Sequence, residues 1–242
     1  MAATSQYTTP RGARAARSLS PARVRDLLLV GLTFSSGAID AISFLALGKV
    51  FTAFMTGNVV FLGLGLTGAG GPDVVRALIA IVAFAAGVFV ATRIVGVPQG
   101  SGIWPRRVSV ALGLVIVLQA VFLAVWLITS DRPGTGSGHA LTALMALAMG
   151  LQSAAVMALA VQGVFTTAAT ATVMFLMRDV GARPGSPAAE RGRLAAVLAA
   201  LFAGATAGGL LLVHARAYAP ILPFVANVLV VATASLALDR AD

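Results

Sequence analysis

The sequence predicts an all-α integral membrane protein, and three observations carry that prediction. Of 242 residues, 59% are apolar and only 10% are charged, against roughly 25% charged in ordinary soluble domains. The apolar residues fall in nearly uncharged runs of about 20. At about 1.5 Å of rise per residue, a helix of that length crosses a hydrocarbon core roughly 30 Å thick. Finally, the order of long and short runs occurs twice along the chain. The predicted architecture is six long transmembrane helices plus two short broken or re-entrant segments, arranged as two inverted repeats.

The long runs lie at about 27–48, 74–97, 108–129, 139–161, 194–213 and 218–238. Pro98 and Pro105, then Asp131-Arg132-Pro133, then the polar stretch from Arg178 to Arg193 separate them, as proline, glycine and charge clusters do in connectors. Residues 1–25, with Arg11, Arg14, Arg17, Arg23 and Arg25, read as a disordered basic cytoplasmic tail. Residues 26–242 read as one membrane domain, with repeat 1 at about 27–129 and repeat 2 at about 139–238.

The net charge of +9 fits basic loops on the cytoplasmic side and does not call for nucleic acid. The absence of cysteine removes disulfides, thiolate metal sites and cysteine nucleophiles. His139 and His214 are the only histidines, and neither stands in a ligand cluster, so no metal is expected. The glycine run after Leu62 lacks the preceding strand and following lysine of a phosphate loop. No cofactor and no catalytic constellation is expected, and the chain does not read as an enzyme.

Two short segments remain, 50–66 and 164–177. VFTAFMTGNVVFL (50–62) aligns without a gap to VFTTAATATVMFL (164–176), and upstream GAIDA (37–41) matches GLQSA (150–154). Repeats of this kind often frame a transporter site. If the short segments span, the halves are parallel; if they turn back, the halves are inverted. Re-entry puts Arg106 and Arg107 inside with the tail and leaves Lys49, Arg76, Arg132 and Arg216 outside. That distribution favours re-entry, with both termini cytoplasmic. Thr56-Gly57-Asn58 is the expected place for the chain to unwind, because glycine accepts unusual dihedrals and an Asn side chain can replace lost backbone partners. Irregular backbone at membrane depth must be buried in protein or line a wet cavity.

Asp40 is the only acidic residue inside a long apolar run. A central Asp costs about 2.5 to 3.5 kcal/mol on insertion scales, so a coupling or binding role is expected; a structural Asp, bonded to Ser36 or Ser43 or carried neutral, is the alternative. Its repeat mate is Ser153, next to Gln152. Thr52, Thr56, Gly57 and Asn58, with Thr166, Thr167, Thr170 and Thr172, are candidates to line a central cavity or to pack helices. Gln119 and Asn227 read as polar glue between helices. Arg93 is expected to snorkel rather than pair with Asp40. Gly204, Gly208 and Gly209 form a small-residue face suited to close packing, in the monomer or in a homo-oligomer.

The combination Gly37, Asp40, Ala41, a gap, then Val50, Phe51, Thr52, Thr56, Gly57 and Asn58 resembles the YoaK-like family of small bacterial membrane proteins of unknown function. The resemblance implies a multi-pass protein of the bacterial inner membrane and supplies no substrate. From the residues, the expected function is a small secondary transporter or permease for an unidentified solute or ion, with Asp40 as the ionisable element. A channel-like pore and a non-transporting sensor or scaffold are the alternatives.

Overall fold

The computed structural model describes residues 19–68, 71–96, 103–129, 133–181 and 188–238. Among these the chain is helical without strands. Its helices are α1 (Pro21–Ala46), α2 (Met55–Leu66), α3 (Val74–Val95), α4 (Arg106–Ile128), α5 (Thr135–Met157), α6 (Ala169–Gly181), α7 (Ala188–His214) and α8 (Ile221–Ala237), with a 3-10 turn at Arg216–Tyr218 before the last. Six of them are long and apolar enough to cross a bilayer. Helices α2 and α6, at 12 and 13 residues, rise roughly 18 to 20 Å and fall short of the core.

Helix boundaries follow local chemistry. Ser20 caps α1, its hydroxyl accepting the Arg23 amide, with Pro21 at the first helical position. Residues 21–25, placed in the tail from sequence, are therefore the first turns of α1; residues 1–18 lie outside the described residues. Asp73 caps α3 by accepting from Val75 and Arg76. The polar stretch read as a connector is partly helical, since Arg178–Gly181 ends α6 and Ala188–Arg193 opens α7.

The helices pack in matched pairs. Helix α1 lies chiefly against α7 and α8, while α5 lies against α3 and α4 in the same proportions; α2 leans on α3 as α6 leans on α7, and α4 touches α8. The two main crossings are built alike. A Cβ added at Gly37 would strike the Leu201 carbonyl, and one at Gly204 would strike that of Phe34. At the other crossing, Gly150 faces the Phe84 carbonyl and Gly87 that of Leu147. Each glycine thus meets the residue three positions before its partner glycine. Backbones approach this closely only where side chains are absent. The glycine face on α7 is used inside the monomer, where Gly208 also packs on Ala38.

Ionic clusters close both ends. Where α1 begins, Arg193 of α7 lies 3.6 Å from Asp26 and 3.6 Å from Glu190, and Arg25 bonds Asp26 at 2.9 Å. Where α1 ends, Arg76 of α3 donates to the Leu47 carbonyl at 2.6 Å, and His139 of α5 lies 3.3 Å from Asp73. Gly65 of α2 also packs on Val74. The end of α1, the end of α2 and the starts of α3 and α5 therefore share one side. The chain leaves α1, dips back, and returns to that side through α2.

Candidate functional site

The site is built on two interruptions in the backbone, residues 47–54 and 158–168. Each begins where a long helix ends, and each contains a non-glycine residue with positive φ, Lys49 at 59° and Ala160 at 51°. Such left-handed residues cost of order 1 kcal/mol and persist only where surrounding contacts hold them.

Asp40 fastens the far end of the first interruption. It lies six residues, roughly 9 Å, before the end of α1. Its Oδ1 accepts the amides of Thr52 at 2.9 Å and Ala53 at 2.8 Å, and the Phe54 amide and Thr52 hydroxyl lie against the same carboxyl. The carboxylate sits where an anion sits at a helix start, in a concavity of consecutive N–H groups just ahead of α2. The Ser43 hydroxyl bonds the Asp40 carbonyl, and the Ser36 hydroxyl bonds Leu32 and Gln152. Neither serine holds the carboxyl, contrary to the structural alternative raised from helical spacing.

Asn58 supplies the second clamp. Its Oδ1 accepts the Phe51 amide at 2.9 Å, and its Nδ2 donates to the Phe51 carbonyl at 2.6 Å. Thr56-Gly57-Asn58 is therefore not where the chain unwinds: all three are in the first turn of α2. The break lies upstream because Asp40 and Asn58 satisfy backbone groups there. Thr56 faces outward, Gly57 packs beneath the Phe54 ring, and Asn58 is wholly buried. Thr56 and Asn58 do not line the cavity described below.

The second interruption keeps the shape with weaker chemistry. The Ser153 hydroxyl bonds the Met149 carbonyl at 2.7 Å and meets the Thr167 hydroxyl at 3.0 Å. Thr166 and Thr172 are buried with unpartnered hydroxyls, and Thr170 is exposed, as Thr56 is. The aromatic pair Phe51–Phe61 recurs as Phe165–Phe175.

The interruptions meet at one open-sided cavity of about 490 Å³. Asp40, Phe44, Phe51 and Phe54 face it from the first half; Thr166 and Thr167 face it from the second; the α1–α7 crossing forms its floor at Gly37 and Leu201. Of the residues singled out from the sequence, Asp40, Thr166 and Thr167 line this cavity; Thr52, Thr56, Gly57, Asn58, Ser153, Thr170 and Thr172 do not. Thr52 is buried beside Asp40, and Ser153 stands behind Thr167.

Between the halves runs a buried amide chain. Gln152 donates to Ser36 at 2.8 Å; Asn227 donates to Gln119 at 3.1 Å and to Gln152 at 3.4 Å. Gln119 and Asn227 are glue, as their sequence context suggested, and Gln152 is the link between them and α1. Arg93 lies over the Phe89 ring at 5.2 Å on an exposed face and makes no pair with Asp40. Asp179, inside the polar stretch from Arg178 to Arg193, is buried in α6 with Arg178 at 3.5 Å. No group of metal-ligating side chains occurs among the described residues.

Comparison with known proteins places the chain. Residues 28–234 match the family of proteins of unknown function DUF1275. The chain belongs to that YoaK-like family. It is 35% identical over 165 residues to the UPF0700 transmembrane protein YoaK of Bacillus subtilis (strain 168), covering 68% of this chain and 71% of the relative. No solved structure matches. With six helices long and apolar enough to cross a bilayer, this family member is a multi-pass membrane protein.

Proposed function

We propose that the protein is a small secondary transporter or permease of the bacterial cytoplasmic membrane, with both termini on the cytoplasmic side and no catalytic step. The observation that carries the proposal is the cavity shared by the two interruptions, with Asp40 on its wall. Paired broken segments near the bilayer midplane are where transporters of this general build hold substrate and coupling ion.

Two further features support it. Helices α1 and α5 are equivalent in the repeat, yet α1 ends on the side where α5 begins. We therefore read the halves as inverted repeats. The Asp26/Glu190/Arg193 cluster at one end has its positional equivalent in His139/Asp73/Arg76 at the other. Such pairs suit two alternating closures, one on each side of a central site.

Proteoliposome flux tests the role directly. Saturable uptake of at least one small solute is expected, lost in Asp40→Asn while the protein stays monodisperse. Absence of saturable flux across cationic, neutral and anionic solute panels refutes it. Single cysteines at Thr67 and Ser101 in this cysteine-free chain test the topology: labelling of Thr67→Cys from outside and Ser101→Cys from inside is expected, and the reverse pattern overturns the inverted arrangement.

A further inference from the structure

The transport role leaves the solute open, and the chemistry of the cavity wall narrows it. Resting on that role, we infer that the cavity binds an organic monocation, an amine or quaternary ammonium with an apolar body. Among the described residues, Asp40 is the only ionisable one lining the cavity, and no basic side chain lines it. Three phenyl rings stand beside the carboxylate. Phe44 and Phe51 are stacked at 5.0 Å, and Phe54 meets Phe51 edge-on at 5.3 Å. A cation within about 6 Å of a ring face is attracted by the ring quadrupole, and more strongly when desolvated.

The remaining wall disfavours anions and hard divalent cations. An anion would face Asp40 without a compensating charge. A hard divalent cation needs about six oxygen ligands, and the lining offers one carboxylate and two hydroxyls. A volume of about 490 Å³ lies in the range of small-molecule pockets. The Thr52 and Ala53 amides both donate to Oδ1 of Asp40. Thr166 and Thr167 line the far wall.

The test is equilibrium binding of benzyltrimethylammonium to the full chain in phosphatidylcholine nanodiscs, by calorimetry against empty nanodiscs. Saturable binding is expected, weakened roughly tenfold in Asp40→Asn and severalfold in Phe51→Leu. The first variant keeps an oxygen for the Thr52 and Ala53 amides; the second keeps apolar bulk but removes a ring. Choline should compete, and its uncharged isostere 3,3-dimethylbutan-1-ol should not. No saturable binding, unchanged affinity in both variants, or equal competition by the alcohol overturns the inference. Cation binding without uptake by proteoliposomes would remove the transport role and leave the site standing. Uptake of another solute without cation binding would do the reverse.

Discussion

Replacing Asn58 by Ala should destabilise the protein far more than replacing its repeat mate Thr172. Asn58 makes two hydrogen bonds to Phe51, at 2.9 and 2.6 Å, and is fully buried. Truncation strands one backbone donor and one acceptor away from water. Each such group costs about 1 to 3 kcal/mol, although side-chain bonds in membrane proteins can average as little as about 0.6 kcal/mol. Alanine regains roughly half a kcal/mol of helix propensity. The expected net loss is about 2 to 3 kcal/mol. The Thr172 hydroxyl is equally buried but has no partner, so Thr172→Ala should lose less than about 1 kcal/mol. Unfolding in mixed micelles by dodecyl sulfate titration measures both. Because the described chain has no cysteine, the labelling rate of Ala53→Cys reports local opening of the break and should rise in Asn58→Ala. Equal losses in the two variants, or a loss below about 0.5 kcal/mol in the first, would refute the view that Asn58 holds the interruption closed.

Two further outcomes follow from the packing and the ends. Gly37→Ala and Gly150→Ala should each push a main helix crossing apart and lower the melting temperature. Gly113→Ala, whose Cβ meets nothing, should be neutral or stabilise by up to about 1 kcal/mol; similar effects at all three positions would contradict the close crossings. At the exposed end, partial burial pushes the Asp73 carboxyl up, but His139, then the Val75 and Arg76 amides, hold it below its ordinary value. A depressed folded value means that this stabilisation is complete above the ordinary Asp pKa of about 3.9 and is lost as pH falls through the folded value. Asp73→Asn keeps the helix cap and should flatten the acid limb of a melting-temperature profile; an unchanged limb would show that the charge contributes nothing.

Much of this architecture was legible in the sequence because membrane helices announce themselves by length and hydropathy. The VFT repeat located both interruptions. Their internal geometry was not legible. Local rules favoured unwinding at Gly57-Asn58, yet the clamp Asn58 reaches back seven residues and Asp40 reaches forward twelve. Tertiary bonds of that kind decide where a helix starts and leave no periodic trace. Gly87 is likewise unremarkable alone, and the small-residue face at Gly204 does not name its partner, since each partner lies on a distant helix. The equivalence of Asp73-x-x-Arg76 with Glu190-x-x-Arg193 was hidden by unequal loop lengths between the repeats. Asp40 was singled out by the cost of an acid in an apolar run, and that cost is what its amide cradle reduces.

The unequal chemistry of the two interruptions makes the halves mechanically different. Among side-chain ties, the first has a carboxylate on two amides and a two-pronged amide clamp, and the second has one hydroxyl pair, Ser153 with Thr167. Local opening begins where fewest bonds must break. By its side-chain ties, the Ser153 half is the more lightly fastened of the two.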